Sequence, residues 1–94
     1  MPTMTDNFLP PVALLRRRAV EQYTGLSCSS LYEQIAAGLF PPPVRIGARA
    51  VGWPYKDVES VVRAWIAGSS SVEIRRLVQS IVCERSRGFV GVQP

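Results

Sequence analysis

The side chains of this chain that can do chemistry are mostly guanidiniums and small hydroxyls. Arg16-Arg17-Arg18, Arg45, Arg49 and Lys56 can pair with phosphate, the arginines through forked, charge-assisted hydrogen bonds. The run Ser27-Cys28-Ser29-Ser30-Leu31-Tyr32-Glu33 sets hydroxyls, a thiol and a carboxylate at helical spacing. Neither group is a catalytic set. The chain has no histidine, the commonest general base, and no paired carboxylates, nucleophile–base set or phosphate-cradling loop is visible. Cys28 and Cys83 form no CxxC pair, and without histidine the zinc-finger spacings are excluded. Two reduced, partly buried thiols are expected, with no metal, no cofactor and no enzymatic activity.

Ninety-four residues support one small domain with a modest core, and 47% apolar residues is normal for a folded chain. A net charge of +4 suits a polyanionic partner, although many small basic proteins bind nothing anionic. No apolar run could span a bilayer. Asp6 and Pro10-Pro11 interrupt the N-terminus, and the arginine cluster follows the apolar residues where a signal peptide would have it first. A cytoplasmic protein without a membrane partner is therefore expected.

A few short elements must position these side chains. Thr24-Gly25-Leu26-Ser27 reads as the turn of a helix-turn-helix. Gly25 supplies the corner that ends one helix, Leu26 tucks between the helices, and the Ser27 hydroxyl caps the next. That second helix is expected over residues 28–37, with Gly38 just beyond it. Cys28, Leu31 and Ile35 give it one apolar face. Ser29, Ser30, Glu33 and Ala37 give it an opposite face narrow enough for a major groove. On these residues alone an ordinary helix hairpin fits as well.

Upstream, residues 1–11 read as a leader in which Phe8 and Leu9 can pack, and Val12 to Leu15 as a short apolar entry, extended or not. Arg16-Arg17-Arg18 opens a first helix with Val20 and Tyr23 as its buried stripe and Glu21 and Gln22 facing water. Three consecutive arginines cannot share one helix face, so at least one points to the partner surface; simple solvation is the plain alternative.

Downstream, Leu39-Phe40-Pro41-Pro42-Pro43 forbids helix and makes a stiff strap. Val44 and Ile46 alternate with Arg45, and Val51 and Trp53 with Gly52, around the turn Gly47-Ala48-Arg49-Ala50. This is a β-hairpin with one apolar face and a basic tip. Behind a helix-turn-helix it would be a wing, from which Arg45 and Arg49 reach phosphate or the minor groove. Pro54 fits the first position of a third helix, whose core stripe is Tyr55, Val58, Val61, Val62, Trp65 and Ile66. After the break at Gly68-Ser69-Ser70-Ser71, with Ser71 as cap, a last helix carries the apolar arc Ile74, Leu77, Val78, Ile81 and Val82. Such an arc is buried in the chain's own core or against a second copy. The expected organisation is leader 1–11, helix-turn-helix with wing 12–68, C-terminal helix 69–87 and a mobile tail 88–94.

Residues from Leu14 to about Ala67 resemble the AlpA family of phage and prophage transcriptional regulators, small MerR-like winged helix-turn-helix proteins related in form to excisionases. The likeness is carried by Leu14-Leu15-Arg16, Val20, Thr24-Gly25-Leu26-Ser27, Ser30-Leu31-Tyr32, Gly38, Phe40-Pro41, Pro43-Val44, Ile46-Gly47, Val51-Gly52-Trp53 and Asp57-Val58. It implies a mainly α fold with a small hairpin wing, a recognition helix over Ser27–Ala37, a wing over Val44–Trp53 and sequence-directed binding to duplex DNA. Cys28, Glu33, Leu39 and Pro42 stand where the family commonly has basic residues. The recognition face is thereby less positive, and its salt dependence should be shallower. Glu33 could accept a hydrogen bond from cytosine N4 or be repelled by the DNA backbone. Trp65 lies about one turn beyond the family's tryptophan position, which Val61 occupies, so the third helix should be a turn longer. The helix from Val72 to Cys83 lies outside the likeness.

The expectation that follows is a regulator of a phage or mobile element acting on double-stranded DNA. Ser27, Cys28, Ser29, Ser30, Tyr32 and Glu33 form the recognition-helix set, Arg45 and Arg49 the wing contacts, and Arg16, Arg17, Arg18 and Lys56 the phosphate contacts. Specificity would need a homodimer or adjacent copies on DNA, joined through Ile74, Leu77, Val78, Ile81 and Val82. RNA polymerase or an integrase would be the protein partner. Two alternatives keep the fold: an excisionase-like factor that bends DNA, and a protein-interaction module that has lost DNA binding and docks through the 72–82 arc.

Overall fold

The computed structural model describes the backbone of residues 13–90 and the side chains through 86; the expected leader, with Phe8 and Leu9, and residues 91–94 lie outside the described residues. The elements are β1 (Leu14–Leu15), α1 (Arg17–Thr24), α2 (Cys28–Ala36), β2 (Val44–Arg45), β3 (Val51–Pro54), α3 (Tyr55–Ile66) and α4 (Ser71–Val90). The architecture is mainly helical around a small antiparallel sheet. It has the form of a winged helix-turn-helix with an added C-terminal helix.

The sheet has three strands in the order β1-β3-β2, one more than the expected hairpin. A two-stranded hairpin would leave the outer edge of β3 unpaired. The apolar entry covers that edge, with Leu14 opposite Pro54 and Leu15 opposite Trp53, and the Tyr55 amide extends the pairing by donating to the Ala13 carbonyl at 2.7 Å. On its other side β3 pairs Gly52 with Val44 and Val51 with Arg45. Pro54 therefore ends β3 and precedes the third helix, where the first helical position had been expected for it.

Helices and sheet meet in one core. Val20, Leu31, Phe40, Trp53 and Val61 are fully buried, Val58 and Leu15 nearly so, and Ala19, Leu26, Ile35, Val62, Trp65 and Leu77 pack around them. Full burial of a side chain of this kind stabilises by about 1.5–3 kcal/mol. The Phe40 ring lies 6.2 Å from that of Trp65, so the third helix uses its late tryptophan as an apolar wall.

The expected stripes hold in their middles and fail at their ends. Tyr23 in the last turn of α1 is 47% exposed and leans edge-on against Tyr55; Ile66, the last residue of α3, is 81% exposed. Helical spacing tells which way a side chain points but not where the neighbouring element stops. Cys28 and Cys83 are both exposed, against the expected partial burial. Cys28 begins its helix, and Leu26, reaching in from the turn, packs on the core in its place.

The cap of α4 is Ser70, one residue before the expected Ser71. Its hydroxyl accepts the Glu73 amide (3.2 Å) while the Glu73 carboxylate accepts the Ser70 amide (2.8 Å), a capping box. The helix also runs on through Gly88 to Val90, where a tail had been expected from residue 88. One glycine near a helix end costs about 1 kcal/mol, which several preceding turns can carry. Of its arc, Ile74, Val78 and Ile81 are buried within the chain, Leu77 is half-buried and Val82 is exposed. Ile74, Val78 and Ile81 are thus buried in the chain's own core, while Val82 stays on its surface. No helix among the described residues is long and apolar enough to cross a membrane.

Because Ile81 sits in the same core as Trp53 and Leu31, Ile81→Ala should cost about 2–5 kcal/mol in urea unfolding with an unchanged m-value. A loss below about 1 kcal/mol would mean that α4 lies outside the cooperative unit.

Candidate nucleic-acid interface

The site begins at the turn between α1 and α2. Gly25 has φ +76°, in the left-handed region, and its amide closes α1 by donating to the Glu21 carbonyl at 2.7 Å. A methyl there would meet open space, so the requirement for glycine is one of backbone conformation alone. Thr24 completes the turn: its hydroxyl donates to the Val20 carbonyl (2.8 Å) and accepts the Leu26 amide (3.2 Å). The Ser27 hydroxyl accepts the Ser30 amide (3.2 Å) and donates to the Ser30 hydroxyl (3.1 Å). Ser27 thus shapes the start of α2 and uses its own hydrogen-bonding capacity to do so.

From this start α2 exposes Cys28, Ser29, Tyr32 and Glu33, with Ser30 half-buried, while Leu31 anchors the opposite face in the core. Gly38, at φ +78°, ends the helix, and the Leu39 amide returns to the Gln34 carbonyl at 2.8 Å. Tyr32 couples the helix to the sheet: its ring stands edge-on to Trp53, centroids 6.4 Å apart and planes at 63°.

The three arginines at α1 separate as one helix start requires. Arg16 is the N-cap, with extended backbone and an exposed side chain; Arg18 is exposed; Arg17 is hydrogen-bonded and ion-paired to Glu21 one turn on. That hydrogen bond raises the Arg17 pKa above its ordinary value, and the nearby Cys28 and Tyr32 side chains act in the same direction. Arg17 is thus tied to Glu21 while lying close to the start of α2. Arg17, Arg18 and Ser27 also line one open concavity with Glu21, Gln22, Gly25 and Leu26.

Arg45 on β2 and Arg49 in the tip are both exposed, and Lys56 is exposed on the first turn of α3. The Ile46 and Gly47 amides both reach the Ala50 carbonyl, at 2.8 and 3.3 Å, and close the tip that carries Arg49. Among the described residues none of Arg16, Arg18, Arg45, Arg49 and Lys56 has an ion-pair partner.

Three further residues join this framework: Arg75, Arg85 and Asp57, the last of which entered the sequence reading only as part of the family likeness. Asp57, only 5% exposed, pairs with Arg85 of α4: Nε donates to Oδ2 at 3.0 Å, and Nη2 lies 3.0 Å from the same oxygen without the alignment of a hydrogen bond. Arg85 Nη1 donates to the Pro42 carbonyl at 2.8 Å, and Arg75 Nε to the Ala37 carbonyl at 3.1 Å. These partners are 28 to 43 residues apart, and no local pattern announces them.

A helix-turn-helix followed by an arginine-bearing hairpin on a small sheet has the form of a winged helix-turn-helix protein. The family described as "Prophage CP4-57 regulatory protein (AlpA)" matches residues 13–69, and the chain belongs to that family, a regulatory and not an enzymatic one. It is 44% identical over 54 residues to "Uncharacterized protein ORF88" of Enterobacteria phage P4, covering 57% of this chain and 57% of that protein. The chain thus spans little more than half the length of that curated relative. No solved structure matches it. The match ends at the close of α3, so α4 is outside it.

Ser27→Ala removes the acceptor for the Ser30 amide and should lower stability by about 1 kcal/mol, whereas Ser27→Gly should cost only a few tenths. Urea unfolding of the two variants checks the ordering; equal losses would mean that the hydroxyl is not acting as a cap.

Proposed function

We propose that this protein is a sequence-directed double-stranded DNA-binding regulator of a phage or mobile element, with α2 as its reading helix and the β2–β3 hairpin as its wing. The observation that carries the reading is the exposed polar face of α2, held against the base of an arginine-bearing hairpin by the Tyr32–Trp53 contact. A helix presenting Ser29, Tyr32 and Glu33 suits the donor and acceptor pattern of a major groove. Glu33 accepting from cytosine N4 would contribute discrimination, and Tyr32 would reach an adjacent base or phosphate.

Phosphate attraction in this reading comes from Arg16, Arg18, Arg45, Arg49 and Lys56. Arg17 adds less, because Glu21 already neutralises it. With five exposed cations the salt slope of binding should be no steeper than about −4.5. One module of this size contacts few base pairs, so useful specificity needs a dimer or adjacent copies on DNA. Since α4 already buries Ile74, Val78 and Ile81 in its own chain, copies would meet through other surfaces or through the DNA itself.

The test is selection of a duplex from random sequences by the purified protein, followed by titration of Arg45→Ala and Arg49→Ala on selected and random duplexes. Each variant should weaken both complexes to a similar extent and make the salt slope shallower by about one. Unchanged binding by both variants would overturn the role of the wing. No selectable duplex at any salt concentration would overturn the DNA reading altogether.

A further inference from the structure

The hairpin leaves the body of the protein through two feet. One is the strap of residues 39–43, which runs from the end of α2 into β2; the other is the first turn of α3, directly after β3. Arg85 grips both. Its guanidinium donates from Nε to Asp57 in the second foot and from Nη1 to the Pro42 carbonyl in the first. Pro42 stands two residues before β2, and Asp57 three residues after β3. A single planar fork therefore closes the base of the hairpin.

The strap is suited to transmit this. Three consecutive prolines fix φ near −65° over residues 41–43 and offer no amide donors, so that part of the strap can be tethered only through its carbonyls. The Pro41 and Pro42 carbonyls accept from the Trp53 indole and Arg85, and Arg75 holds the Ala37 carbonyl at the end of α2, just before the strap. Two of the three donors belong to α4. A stiff rod held near both ends has one orientation, and here that orientation relates the end of α2 to the start of β2.

We infer that α4 is the positioning element of the nucleic-acid interface: Arg85, seconded by Arg75, sets the angle between reading helix and wing, and so the ability to tell one duplex from another. This inference rests on the DNA-binding reading above, while the clasp itself can be measured without DNA. Arg85 and Arg75 are positioning residues that act through the strap.

The experiment uses the full chain with Arg85→Lys, Arg85→Gln and Arg75→Gln. Arg85→Lys keeps the charge beside Asp57 but has no fork to span Asp57 and Pro42 together, so it preserves the fold while opening the clasp. In the absence of DNA, hydrogen exchange of the Trp53 indole N–H should accelerate at least tenfold in Arg85→Lys and Arg85→Gln. In binding, the ratio of affinities for selected over random duplex should fall about tenfold, with random-duplex affinity within twofold of wild type. Arg75→Gln should move both readouts in the same direction by less. A variant that is merely less folded would lose both duplexes in proportion and keep the ratio, which would overturn the proposal. So would unchanged indole exchange, or faster exchange with an unchanged ratio. If the wild-type chain itself discriminates between no duplexes, the DNA-binding reading fails and the inference with it. Discrimination by the wild type and equally by Arg85→Lys overturns the positioning role alone.

Discussion

The Trp53 indole is the contact on which the rest of the arrangement depends. It is fully buried in the middle strand, opposite Leu15 of β1, with the Tyr32 ring of α2 against it and its N–H donated to the Pro41 carbonyl at 3.0 Å. One side chain thereby fixes the relative placement of the apolar entry, the helix after the turn, the proline strap and the hairpin. Its polar atom is satisfied by a carbonyl that has no partner within regular structure. A buried indole without that acceptor would carry a desolvation penalty, so the strap and the tryptophan depend on each other.

The charges divide in a way that follows from the same packing. Arg17, Arg63, Arg75 and Arg85 are tied to carboxylates or carbonyls of their own chain. The arginines at the α1 cap, on β2 and in the tip have no such tie among the described residues. Net charge alone does not distinguish these groups. Exposed pairs such as Arg63–Glu59 contribute little to stability. The Asp57–Arg85 pair differs, because the carboxylate is buried and would be left uncompensated without its partner.

The family match and the structural unit do not coincide. The match covers residues 13–69, yet Ile81 of α4 belongs to the same core as Val20 and Val61, and Arg85 reaches the strap and α3. The family portion of this chain is thus packed against a helix from beyond it. Removing α4 would take Ile81 out of that core and release the contacts of Arg85 with Asp57 and Pro42.

The sequence by itself determined the local structure. Gly25 and Ser27 specified the turn and cap, Gly38 the end of α2, the prolines the strap, and alternation around Gly47–Ala50 the hairpin; the ordered motifs pointed to the family. These features are legible because each is satisfied within a few residues, by backbone conformation, a nearby amide or an i, i+3 neighbour. What only the tertiary structure decided lies between distant segments. Leu14–Leu15 became a third strand, Asp57 was buried, Arg85 found Asp57 and Pro42, and the arc of α4 turned into the chain's own core. It also decided where each apolar stripe ends, at Tyr23 and Ile66, since periodicity carries direction but not the length of the neighbour. The physical reason is common to all of these: a buried charge or an unpaired strand edge demands a partner, and the demand can be met from any distance along the chain.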